Sequence, residues 1–197
     1  SGGLPQNKPM IAELPSRKAL TQWPVTCLVT GVAIGLHGLS RGRLAGFETW
    51  LLEPAYLRDP VLLSQHVWTL ITPALLHLGL VHLLLNLLWI WMLGSYIERL
   101  WGSGWLLLLW GVSALAGNLA EAAFGAIGVG LSGAVYGYMG WWMVITRRDP
   151  RLAILREPQL ELVFIVWLFL GSAITWLGLV NIGNLAHLAG MVAGSAL

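Results

Sequence analysis

The sequence predicts an all-α polytopic membrane protein of six transmembrane helices, on three observations. Apolar residues fill 57% of the chain and charged ones only 10%. Mean hydropathy is +0.73, a balance that soluble domains of this size do not show. The apolar residues also fall into runs close to the roughly 20 residues that a helix needs to cross the hydrocarbon. Finally, small residues recur at helical spacing in two of those runs, which lets helix backbones approach closely in lipid. A single domain is expected, and the twelve tryptophans fit interfacial aromatic belts. Cys27 stands alone, which excludes an internal disulfide and a cysteine-based metal cluster. The net charge of +2 is too small to argue for nucleic acid.

Taken in order, residues 1–19 read as a polar, disordered tail broken by Pro5, Pro9 and Pro15, with Ser1-Gly2-Gly3 as an expression remnant. The first span runs from Leu20 to Leu39; it is too long for a signal peptide and lacks a small-residue cleavage site. From Ser40 to Leu76 charged residues such as Arg41, Glu48 and Asp59 alternate with apolar runs, and Pro54 and Pro60 break them. This pattern suits short amphipathic helices lying in the interface.

The second span, Leu78 to Leu100, carries His82, Asn86, Gly94 and Glu98, and the third runs from Trp105 to Phe124 after a turn at Gly102-Ser103-Gly104. A glycine-rich loop, Gly125 to Gly130, leads into the fourth helix, Ser132 to Thr146. That helix is short for a crossing, so it is expected to begin at depth, where non-helical backbone survives only beside protein or a water-filled cavity. The fifth span is Leu160 to Leu177. The sixth starts near Asn184 and stops at Leu197 after about 14 residues, too few to cross, so the natural protein is expected to continue. Residues 20–197 then form one core with a truncated sixth helix.

Lys and Arg set the orientation. With the N-terminus in the cytoplasm, the inner segments hold Lys8, Arg17, Lys18, Arg99, Arg147, Arg148, Arg151 and Arg156, the outer ones only Arg41, Arg43 and Arg58. Ser132 then begins a helix descending from the outer face, and its pocket opens outward.

Polar atoms are costly in lipid, so a serine in Gly130-Leu131-Ser132-Gly133 is a packing residue or a site. A nucleophilic hydroxyl needs a base. His187 lies on one stripe with Gly183, Gly190 and Gly194, and Gly133, Gly137 and Gly140 form a matching stripe on the fourth helix. Two such ladders can bring Ser132 and His187 together. Tyr136, one turn past Ser132, can stack on the imidazole. No acid neighbours His187 in sequence, which leaves a Ser–His dyad. The backbone N–H groups at the start of the fourth helix, those of Leu131 and Ser132, carry the positive dipole end and suit an oxyanion. His82 and Asn86, one helical turn apart, can also donate. No H-E-x-x-H motif occurs, and the spacing of His77 and His82 suits a metal poorly. Neither a metal nor a cofactor is expected.

Four motifs lie in order along the chain: His77-x4-His82-x3-Asn86, Gly94-x3-Glu98-x3-Gly102, Gly130-Leu131-Ser132-Gly133 with Tyr136, and Ala186-His187-x2-Gly190. In these the chain resembles the rhomboid intramembrane serine proteases of the bacterial GlpG-like type. The resemblance implies a six-transmembrane-helix rhomboid bundle in the bacterial inner membrane. It implies Ser132 as nucleophile, His187 as general base, and His82, Asn86 and the Ser132 N–H around the oxyanion. It implies single-pass or polytopic membrane proteins as substrates, cleaved near the outer face, and a lateral gate where Phe169 faces Leu85. Two positions depart from the family: Trp68 is followed by Thr69 where the family's first loop carries Trp-Arg, and Pro73 replaces a water-retaining histidine. Glu98 is expected to cap the inner end of the second helix. The alternative function is an inactive rhomboid-like protein that binds membrane helices without cutting, against which the presence of both Ser132 and His187 argues. A transporter would need intramembrane acids and an inverted repeat that the sequence lacks.

Overall fold

The structure is a computed structural model that describes residues 19–40, 60–126, 128–180 and 182–197. The predicted tail up to residue 18, and residues 41–59 of the long connection, lie outside the described residues. Among the described residues the secondary structure is entirely helical.

Proline and glycine punctuate the helices. Pro24, whose missing N–H costs nothing at a helix start, opens α2 (Pro24–Ser40) and separates it from the single turn α1 (Ala19–Gln22). The expected first span is therefore interrupted at Trp23. The connection yields α3 (Pro60–Gln65) and two short 3₁₀ turns, Val67–Leu70 and Thr72–Leu75. Gly79, at φ 87°, turns the chain into α4 (Leu80–Trp89). A π-helical turn, Ile90–Gly94, joins α4 to α5 (Ser95–Trp101). Gly94 lies in that turn because a Cβ there would stand 3.1 Å from Thr26 Oγ1. Gly102, at φ 85°, ends α5 and begins α6 (Ser103–Ala123). Then follow α7 (Ser132–Arg148), α8 (Pro158–Trp176) and α9 (Asn184–Ala196).

By length and composition three helical stretches among the described residues can cross a membrane: Leu80–Trp101, Ser103–Ala123 and Pro158–Trp176. The apolar α2 and the helices α7 and α9, of 17, 17 and 13 residues, are shorter.

Helix α7 is the axis of the fold. Every residue from Gly133 to Trp142 is buried, and α6 and α9 pack most extensively against it and each other. Its aromatic lower half meets Tyr96 and Trp101 edge-on and Trp105 at a tilt. Helix α8 is peripheral: only Glu161, Phe164 and Gly171 are buried along it. Its first turns are pinned, since Glu161, 3% exposed, accepts from Arg147 at 3.0 Å and from Arg156 at 3.3 Å. In the same connection, the Arg151 side chain hydrogen-bonds Asp149 and holds its carboxyl below the usual range.

Glu98 departs from expectation. It does not cap its own helix but reaches the start of α2, where Oε1 accepts the Val25 N–H at 2.8 Å and Oε2 the Thr26 N–H at 2.9 Å. The Thr26 and Ser103 hydroxyls donate to the same carboxylate. A helix N-terminus has orphan N–H groups and a positive dipole end, and a carboxylate answers both.

Candidate active site

Ser132 owes its position to the turn before it. Gly130 sits at φ 109°, a conformation that suits glycine alone. Its N–H donates to the Pro73 carbonyl at 3.1 Å. The Leu131 N–H donates to His77 Nε2 at 3.4 Å, and Leu131 itself is fully buried. Ser132 is then the first residue of α7, with its hydroxyl at the helix N-terminus. The loop that carries Pro73 is anchored in turn: Asn118 of α6 donates to the Leu70 carbonyl at 2.8 Å, and Thr69 closes its own turn onto His66.

His187 arrives on α9, and the two glycine ladders meet face to face. A Cβ on Gly190 would lie 2.1 Å from the Gly133 carbonyl oxygen, and one on Gly194 would lie 2.1 Å from that of Gly137. From the other side a Cβ on Gly140 would lie 2.3 Å from the Met191 oxygen. Only bare backbone fits this seam. It brings His187 Nε2 to 2.8 Å from Ser132 Oγ. The imidazole is buried, and its ring stacks on Tyr136 at a centroid distance of 4.4 Å and 13° between planes. The Tyr136 hydroxyl donates to the Phe164 carbonyl of α8 at 3.1 Å. With Nε2 accepting from the serine, Nδ1 carries the imidazole proton, and Nδ1 has no hydrogen-bond partner among the described residues.

His82 and Asn86 face the turn from α4. A Cβ on Gly130 would stand 2.8 Å from His82 Nε2 and 3.4 Å from Asn86 Nδ2, so the absence of a side chain there lets both donors come up to the backbone beside Ser132. Asn86 also donates to the His82 carbonyl at 3.0 Å, which holds its amide in place. His77 and His82 lie ring to ring at 5.1 Å. Of the two gate residues, Phe169 is 71% exposed and Leu85 50% exposed. Helices α4 and α8 touch lower down, where Trp89 meets Phe164 edge-on at 4.9 Å.

Sequence reasoning missed three neighbours. From sequence His77 reads as a poor metal ligand and as the start of the first motif, yet it receives the Leu131 N–H. Pro73 was weighed only as a lost histidine, yet its carbonyl fixes Gly130. Glu121 was set aside as no neighbour of His187, yet its Oε1 accepts the Ala186 N–H at 3.0 Å. Sequence can mark Glu121 as an acid within an apolar span, but not the backbone N–H that it reaches.

A family model described as the rhomboid domain matches residues 64–197. The chain belongs to the rhomboid family. The match takes in every side chain of the site, from Asn118 and His82 to His187. The proteins named Rhomboid protease GlpG of Salmonella paratyphi A (strain ATCC 9150 / SARB42) and of Salmonella typhi are similar to it, each 34% identical over 192 residues. The protein of that name from Salmonella newport (strain SL254) is 33% identical over the same length. In each case the alignment covers 96% of this rhomboid chain and 66% of the relative, so the chain spans just under two thirds of the relatives' length.

Proposed function

We propose that this rhomboid chain is an intramembrane serine endopeptidase that hydrolyses peptide bonds in or near the transmembrane segments of other membrane proteins. The observation that carries the reading is the 2.8 Å approach of His187 Nε2 to Ser132 Oγ inside a buried glycine seam. A serine hydroxyl is too weak an acid to ionise unaided, and a base at hydrogen-bond distance is what activates it.

The steps follow from that pair. Ser132 Oγ attacks the scissile carbonyl carbon while its proton passes to His187 Nε2. The oxyanion that forms is held by the N–H groups at the start of α7 and by His82 and Asn86. The Ser132 N–H is free of the helix ladder by position; that of Leu131 must exchange its bond to His77 to take part. Collapse expels the amine, which takes the proton from His187 and leaves an acyl-serine. Water, deprotonated by His187, then attacks the acyl carbon, and release of the acid restores the hydroxyl.

The fold reading extends the same proposal. Six helices cross the membrane, and α7 is short because it begins at depth, where surrounding helices tolerate the non-helical loop before it. The N-terminus is cytoplasmic, residues 20–197 form the protease core, and the site opens to the outer side of a bacterial inner membrane. Substrates are membrane proteins reaching the site sideways from lipid, between α4 and α8.

Cleavage of a fluorogenic transmembrane substrate by the reconstituted chain, with Ser132→Ala as control, tests the reading. Cleavage abolished by Ser132→Ala is expected. Binding of the substrate without cleavage by the unsubstituted chain would point instead to an inactive membrane-helix-binding rhomboid.

A further inference from the structure

Glu121 is 6% exposed and does not belong to the reaction just described. It ends α6 on the side where α7 and α9 begin. Ala186 is the third residue of α9, so its N–H has no partner within the helix; the His187 N–H is the first to find one, at Gly183. Glu121 Oε1 fills that vacancy at 3.0 Å. The carboxylate thereby grips the backbone immediately before the base.

The packing around it involves both catalytic strands of chain. A Cβ on Gly128, in the loop leading to Ser132, would lie 2.8 Å from Glu121 Cγ. A Cβ on Gly183, in the loop leading to His187, would lie 3.3 Å from Glu121 Oε1 and 3.8 Å from the Gly128 Cα. The glutamate side chain is therefore held between the segments that deliver the nucleophile and the base. Ala186 is enclosed on its other sides by Gly117 and Gly133, where added Cβ atoms would stand 3.2 and 3.4 Å from its carbonyl oxygen.

We infer that Glu121 is a positioning residue for the dyad, which rests on the protease reading above. In a serine triad an acid orients the base through its ring nitrogen. Here His187 Nδ1 lacks a partner among the described residues, and a buried acid does the orienting one residue away, through the main chain. Its job needs an acceptor at the right place rather than a proton relay. A small slip of α9 along the glycine seam would open the Ser132–His187 bond, and misplacement by about 1 Å can cost about 10² in rate.

The test compares Glu121→Gln, which keeps the acceptor, with Glu121→Met, which keeps the length but removes it. With the transmembrane substrate, well below each variant's melting temperature, Glu121→Gln is expected to hold kcat within about threefold and Glu121→Met to lower it about 30-fold, with KM little changed. Fluorophosphonate labelling of Ser132 should slow in the same ratio. A folded Glu121→Met with unimpaired kcat, equal losses in both variants, or a loss confined to KM overturns the inference. Should Glu121→Met not fold, Gly183→Ala decides: its Cβ presses on Oε1, so kcat should fall at least about threefold with little change in melting temperature. Unchanged kcat in that variant overturns the inference too. A parent chain that neither cleaves nor labels would instead defeat the protease reading, which keeps the two failures apart.

Discussion

The Tyr136 hydroxyl donates to the Phe164 carbonyl at 3.1 Å while the Tyr136 ring lies flat against His187. One side chain therefore touches the base and the first half of α8. The ring and the hydroxyl have separable work. Tyr136→Phe keeps the stack and loses one hydrogen bond worth about 1 kcal/mol, so the melting temperature should fall by about 2–4 °C. Fluorophosphonate labelling of Ser132 should persist. Tyr136→Leu removes the stack, worth about 0.5–1.5 kcal/mol, and labelling should slow by up to about tenfold. Equal labelling in Tyr136→Leu and the parent chain would remove the ring from the site.

Glu98 gives a contrasting prediction. Its carboxylate accepts four hydrogen bonds that tie α5 to the starts of α2 and α6. In Glu98→Gln one oxygen becomes an N–H₂ that faces donors. The loss of charge-assisted bonds and the repulsion of like donors should cost about 2–4 kcal/mol. At about 2–4 °C per kcal/mol for a chain of this size, the melting temperature should drop by roughly 5–15 °C. The folded fraction should keep its kcat. Loss of kcat at full stability would place Glu98 in the chemistry.

These two acids mark the limit of what could be read from sequence. Most helices were legible because apolar runs and their proline or glycine ends are local. The two glycine ladders were legible because period alone puts Gly133, Gly137 and Gly140 on one face, and Gly190 and Gly194 on another. The reach of Glu98 to Thr26, or of Glu121 to Ala186, leaves no local trace. Each bond joins a side chain to a backbone N–H some sixty to seventy residues away, and any residue except proline supplies that N–H. The π turn at Ile90–Gly94 was equally silent, since nothing in that apolar run separates it from an ordinary helical turn.

The ladders themselves can be broken by one methyl group. Gly190→Ala would place a Cβ 2.1 Å from the Gly133 oxygen, against roughly 3.5 Å or more for unstrained contact. The helices α7 and α9 must part by about 1 Å, which predicts a loss of about 10² in kcat and a destabilisation of about 1–3 kcal/mol. Gly111→Ala is the control: nothing lies within 4 Å of its Cβ, and a helix gains from alanine. Wild-type kcat in Gly190→Ala would show that the seam is not what sets the dyad.

Helix α8 is held at its lower end by Glu161 and Phe164 and leaves Phe169 71% exposed above them. Among the described residues its last turn is tied to the segment that opens α9, where Asn184 donates to Thr175 at 3.1 Å and the Ile182 N–H donates to the same hydroxyl at 3.0 Å. That uneven attachment suits a helix whose middle and outer part swings from α4 to admit a substrate. Phe169→Ala should raise the cleavage rate of a transmembrane substrate if opening is limiting. Labelling by a small water-soluble phosphonate, which needs no lateral opening, should stay the same. A disulfide joining α4 to α8 at the level of Leu85 and Phe169 should stop transmembrane cleavage alone. Full cleavage in the locked form would rule out this route.

Among the described residues no carboxylate meets His187 Nδ1, so its tautomer rests on the Ser132 contact, the Tyr136 stack and the packing of α9. Only the neutral imidazole can take the serine proton. Activity should therefore rise with pH along a single titration and be lost as His187 becomes protonated, since an imidazolium has no lone pair for the Ser132 proton. His187→Ala should remove that acid limb together with nearly all labelling, because nothing else stands at hydrogen-bond distance from the hydroxyl among the described contacts. His187→Gln is the stricter probe. It keeps a polar group near Ser132 but cannot accept and hold a proton, so it should fold like the parent chain and yet not label. Labelling that survives in either variant would assign the base elsewhere.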